Sequence, residues 1–137
     1  MTTWMLLEDE PDLFDMILTM VGMLGIGGIG FSTGGDAVEW IEKVEAGDFQ
    51  GELPDLALLD IRMPDDINGP MVGARIGKSP VLKDVVVVLM TAYKLSPSQE
   101  EDVIKEAGAS LLIRKPLPRI DELTYILNGL IEERKKS

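Results

Sequence analysis

Short apolar runs alternate five times with stretches in which apolar residues recur every three or four positions. Trp4 to Leu7 reads as a first strand, and Pro11 opens a helix carrying Phe14, Ile17, Leu18 and Val21 on one face. A glycine-rich turn leads to a weak second strand near Ile29 to Ser32, and Asp36 to Ala46 reads as a helix with Val38, Ile41 and Val44 inward. Leu56 to Asp60 is the third strand. Gly69 to Lys78 is a helix in spite of Gly73 and Gly77, each of which costs up to about 1 kcal/mol in a helix interior. The run VVVVLM, residues 85 to 90, is β-branched and uncharged, as a strand buried on both faces requires. Ser96 then caps a helix with Pro97 in its first position, Gln99 completing a capping box and Gly108 ending it. LLIR, residues 111 to 114, is the fifth strand, and Ile120 to Lys135 a last amphipathic helix with a basic end.

Strands alternating with helices predict an open, mostly parallel α/β sheet, in which ligands bind beyond the carboxyl ends of the strands. With no linker, repeat or low-complexity tract, residues 1–137 are expected to form one domain. Two phosphate-loop look-alikes fail on context. GIGGIG, residues 25 to 30, has the G-x-G-x-x-G spacing but follows a helix and leads into a strand, the reverse of the dinucleotide fingerprint. GARIGKS, residues 73 to 79, has three residues between its glycines where a P-loop has four.

Composition narrows the chemistry. The 137 residues are 45% hydrophobic and 27% charged, which suits a folded domain with a hydrated surface. No apolar run approaches the roughly 18 residues of a membrane span, and no signal peptide fits the N-terminus. The absence of cysteine removes disulfides and thiolate chemistry, and a reducing cytoplasm is the expected setting. The absence of histidine excludes Ser-His-Asp triads and His-ligated metals. A net charge of −11 opposes direct binding to nucleic acid.

What remains is carboxylates, hydroxyls and lysines, and these stand at the strand ends. Glu8-Asp9-Glu10 follows the first strand, Asp60 ends the third, Thr91-Ala92 follows the fourth and Lys115-Pro116 the fifth. Taken singly, each could be a solvated surface group; a parallel sheet puts all four on one edge. Like charges about 5 Å apart repel by roughly 3 kcal/mol at an effective dielectric near 20, so Glu8, Asp9 and Asp60 would share protons or recruit a cation. With oxygen ligands alone, Mg²⁺ is the natural occupant. Mg²⁺ beside a carboxylate, a lysine and a hydroxyl is a phosphoryl-transfer set, with Asp60 as nucleophile.

The ordered stretches LLEDEPD, PDLALLDIRMP, Asn68-Gly69, VVVVLMTA and LIRKP make the chain resemble the receiver domain of bacterial two-component response regulators over nearly its whole length. The resemblance implies a flavodoxin-like doubly wound sheet in the order 2-1-3-4-5, with five helices in three layers. It implies Asp60 as phosphoacceptor, and direct Mg²⁺ ligation by Asp9, Asp60 and the backbone carbonyl of Arg62, with Glu8 acting through water. Lys115 is assigned to Asp60 or its phosphoryl group, and a cis bond is implied before Pro116. Arg62, Ala92 and Tyr93 would flank the phosphoryl group. The implied donor is a sensor histidine kinase or a histidine phosphotransfer protein. The output would be a downstream protein or a further domain of a longer regulator, with a phosphorylation-linked dimer as one outcome. No enzymatic activity is expected beyond self-phosphorylation and self-dephosphorylation at Asp60. The chain departs from the family in two places. Leu112 stands where an aromatic residue usually couples to Thr91 in switching, a role Tyr93 could take over, and the loop between Asp60 and Gly69 is one residue longer. A receiver-like module that never accepts phosphate is the alternative. A haloacid-dehalogenase-like phosphatase would need a second aspartate where Arg62 stands.

Overall fold

The computed structural model describes residues 2–136. Five strands, β1 (Thr3–Leu7), β2 (Gly27–Phe31), β3 (Leu56–Asp60), β4 (Val86–Thr91) and β5 (Leu111–Arg114), alternate with five helices, α1 (Pro11–Met23), α2 (Gly34–Glu45), α3 (Gly69–Lys78), α4 (Pro97–Ala107) and α5 (Ile120–Lys135). The sheet is parallel throughout, in the order β2-β1-β3-β4-β5. The chain reverses direction across the sheet between β1 and β3, so the loops after these two strands diverge and leave a crevice at their carboxyl ends.

The alternation of side chains along each strand divides the core in two. Met5, Leu7, Ala57, Leu59, Val87 and Leu89 face α2, α3 and α4. Trp4, Leu6, Leu56, Leu58, Val88 and Met90 face α1 and α5. The residues of β1, β3 and β4 are buried on both faces, as expected for strands covered by helices on both sides. Among the described residues no helix is long and apolar enough to cross a membrane.

Three sequence expectations shift. β2 begins at Gly27, two residues before the expected Ile29, because Gly27 pairs in register with Thr3 of β1. Its glycines are packing residues: a Cβ on Gly28 would lie 2.8 Å from Leu18, and one on Gly30 would lie 2.5 Å from the Phe14 ring. Only Gly25, at φ 78°, belongs to the turn. α2 begins at Gly34 rather than Asp36, with Thr33 as its cap, and Ala37 and Trp40 join Ile41 and Val44 in the core while Val38 is half-buried. The other elements fall close to expectation. Both arms of the Ser96–Gln99 capping box are present and Gly108 is left-handed. The GARIGK stretch lies inside α3, where no phosphate loop can form.

Candidate functional site

Each member of the site is delivered by a strand end. β1 places Glu8 out of solvent contact, where its Oε1 accepts a 2.7 Å hydrogen bond from Lys115 Nζ and its Oε2 a 2.9 Å bond from the Glu10 backbone N–H. β3 ends on Asp60, nearly buried, whose Oδ2 accepts from the same Lys115 Nζ at 2.9 Å. Lys115 follows β5 and forms ion pairs with both carboxylates; its peptide bond to Pro116 is cis. Asp9 is exposed at the rim. Carboxylate oxygens of Glu8, Asp9 and Asp60 lie within 4.8 Å of one another.

The electrostatics follow from this geometry. Burial pushes the Glu8 carboxyl above the ordinary carboxylate range, and its hydrogen bonds from Lys115 and the Glu10 N–H offset that only in part. Burial alone would lower Lys115, but its bonds to Glu8 and Asp60 outweigh it and hold the ammonium above the usual lysine value. One lysine therefore faces two carboxylates, with a third at the rim. That oxygen-only set fits a small divalent cation, which would relieve the repulsion Lys115 leaves uncompensated.

The cleft above these groups has a volume of about 420 Å³, and its walls include Arg62, Met63, Pro64, Ala92 and Tyr93. The Arg62 guanidinium lies over the Tyr93 ring, 3.9 Å from its centroid. The structure thus brings together Glu8, Asp9, Asp60, Arg62, Ala92, Tyr93 and Lys115. It leaves Thr91 and Leu112 out of the cleft lining. The buried Thr91 hydroxyl accepts from the Tyr93 N–H at 3.0 Å, and Leu112 packs half-buried against the core beneath α2, α3 and α4. Glu10 also borders the cleft, yet its carboxylate caps α1 by accepting from the Asp12 and Leu13 N–H groups at 3.3 and 2.6 Å.

A parallel sheet in the order 2-1-3-4-5, with an acidic crevice beside its central strands and a lysine bridging two of the carboxylates, is the layout of a signalling receiver. The family model of the response regulator receiver domain matches residues 5–128, and the chain belongs to that family. Comparison with curated proteins finds no significant match. Among solved structures, a putative response regulator from Chloroflexus aurantiacus is 23% identical with a TM-score of 0.77, covering 96% of this chain and 98% of its own. The response regulator TrrA of Thermotoga maritima, solved in complex with Mg²⁺-BeF, is 25% identical with a TM-score of 0.72, covering 95% and 99%. The receiver domain of a Pseudomonas aeruginosa sensor histidine kinase, with magnesium in its active-site cleft, is 25% identical with a TM-score of 0.76, covering 96% and 98%.

Proposed function

We propose that Asp60 accepts a phosphoryl group in a Mg²⁺-dependent reaction and that the modified domain signals to a protein partner. The observation that carries this reading is the convergence of Glu8, Asp9 and Asp60 carboxylate oxygens within 4.8 Å, with Lys115 Nζ bonded to two of them. Three acids at the edge of a core, with one base shared by two of them, leave negative charge that a cation would offset.

The residues divide the work. A carboxylate oxygen of Asp60 attacks phosphorus; the O–P bond forms as the P–N bond of a donor phosphohistidine breaks, and the electron pair leaves with the imidazole nitrogen. The donor is a histidine kinase or phosphotransfer protein, because this chain has no histidine. Asp9, Asp60 and the Arg62 carbonyl would hold Mg²⁺, with Glu8 behind them, and the ion supplies positive charge against the phosphoryl oxygens. Lys115 adds a second fixed cation whose raised pKa keeps it charged. The Thr91 hydroxyl, now turned to the Tyr93 N–H, rotates to donate to a phosphoryl oxygen. That rotation frees the Tyr93 N–H and is the first step of switching; Leu112, on the neighbouring strand, pairs in register with Leu89 and not with Thr91.

Incubation with acetyl phosphate and Mg²⁺ followed by intact-mass measurement tests the reading. One added phosphoryl group is expected in the wild type and none in Asp60→Asn. Equal uptake by the variant would overturn it.

A further inference from the structure

We propose that Asp65 is a positioning residue for the phosphoacceptor cleft: it clasps the loop after β3 to the first turn of α2 and so sets where Arg62 stands. This rests on the reading of the Asp60 pocket given above.

The clasp is built from both sides. Asp65 Oδ1 accepts from the Gly34 N–H at 3.1 Å and Oδ2 from the Gly35 N–H at 2.7 Å. These are the first two N–H groups of α2, which have no partner inside the helix. The third, on Asp36, is taken by the Thr33 side chain at 3.1 Å, so α2 has its own local cap. Asp65 arrives from a loop about thirty residues away, and its charge favours the positive end of the helix. Gly34 permits the approach: a Cβ there would lie 2.0 Å from the Ile67 carbonyl oxygen.

The same loop is fixed at its other end to the reacting residue. The Gly69 N–H donates to the Ile61 carbonyl at 3.0 Å, and a Cβ on Gly69 would lie 2.1 Å from the Asp60 carbonyl oxygen. Between these two backbone contacts runs the stretch from Arg62 to Asp66. Apart from the Arg62–Tyr93 stack, the bonds of Asp65 are the stretch's only polar side-chain ties to another element among the described residues. Releasing them loosens the segment that carries the Arg62 carbonyl and guanidinium, leaving it held by the Arg62–Tyr93 stack and by the packing of Met63 against the core.

The test compares Asp65→Ala with Thr33→Ala, which removes the other cap of the same helix without touching the loop. Amide exchange is measured first, with neither metal nor phosphodonor. Asp65→Ala should speed exchange at Gly34, Gly35 and Gly69 about tenfold or more. Calorimetric titration with Mg²⁺ should then show its Kd raised by about three- to tenfold, and phosphoryl loss after acetyl phosphate labelling should change by a similar factor. Thr33→Ala should lower the melting temperature while leaving Kd and phosphoryl lifetime within about twofold of wild type. If Asp65→Ala speeds exchange but leaves both values unchanged, or Thr33→Ala shifts them equally, Asp65 is only a helix cap and the proposal falls. A wild type that binds no Mg²⁺ while Gly34 and Gly35 stay protected would overturn the phosphoacceptor reading itself, and the positioning role with it.

Discussion

Glu8 and Glu10 stand two residues apart and do unlike things. Glu8 is sealed under the cleft against Lys115, whereas Glu10 spends its carboxylate on the first turn of α1. Asp9, between them, is the acid that faces the opening. Asp9→Asn should therefore weaken Mg²⁺ binding about tenfold or more, while Glu10→Gln leaves it nearly unchanged and costs about 1 kcal/mol or less of stability as a weakened cap. Calorimetric titration with Mg²⁺ separates the two; equal losses would misplace the acidic cluster by one residue. Across the cleft, Arg62 stacked on Tyr93 lines the same opening as Asp60, a contact worth about 0.5–1 kcal/mol at an exposed site, and we propose that the pair shields the acyl phosphate from water. Neither side chain is a carboxylate or amide suited to orient an attacking water. Replacing both, Arg62→Asn with Tyr93→Glu, should speed dephosphorylation about tenfold or more, equivalent to about 1.4 kcal/mol of barrier. The decay of labelled protein after donor removal measures it, and an unchanged or slower decay contradicts shielding.

At the scale of elements, glycine separates close contact from mere tolerance along α3. A Cβ on Gly69 would strike the Asp60 carbonyl, whereas one on Gly77 would meet nothing within 4 Å. Gly77→Ala should accordingly stabilise the fold by up to about 1 kcal/mol in denaturant titration, and Gly69→Ala should destabilise it by about 2 kcal/mol or more and slow labelling of Asp60. α2 and α3 are also tied by Glu45 and Arg75, whose guanidinium holds the Glu45 carboxyl down at about 2. Because that pKa is depressed in the fold, the pair's contribution is present above the ordinary glutamate value near 4.5 and is lost as the pH falls toward 2. Glu45→Gln should therefore melt below wild type at neutral pH and converge with it in acid; a gap that persists at pH 2 contradicts the assignment. The elements legible in the sequence were those whose signals are local: the buried runs of β3 and β4, and the capping box and terminal glycine of α4. β2 and the start of α2 were displaced because glycine carries no periodicity. The bounds of β2 are set by register with β1, whereas α2 starts at its adjacent cap Thr33, with Asp65 taking the first two N–H groups from a distant loop.

For the whole molecule, the candidate site was more legible than the packing around it. Parallel strands carry their C-terminal residues to one edge by topology alone, so Glu8, Asp9, Asp60 and Lys115 could be grouped without coordinates. The two-sided grip of Lys115 and the stacking of Arg62 on Tyr93 depend on side-chain geometry that no spacing encodes. With three acids assembled in a chain of net charge −11, a bound divalent cation would stabilise the fold by relieving their repulsion. Mg²⁺ at a hundred times its Kd should stabilise the fold by about 2.7 kcal/mol. Thermal melting across a Mg²⁺ series reads this out, and at the same Mg²⁺ concentration the gain should fall to about 1.4 kcal/mol or less in Asp9→Asn. The proposed signalling chemistry rests on one bond, the acyl phosphate at Asp60, and borohydride reduction of the acetyl phosphate-treated protein followed by peptide mass mapping tests for it most directly. Hydride displaces the phosphate of an acyl phosphate and leaves an alcohol, so homoserine at position 60 is predicted. A phosphate that survives borohydride, or homoserine at any other aspartate, would contradict the account.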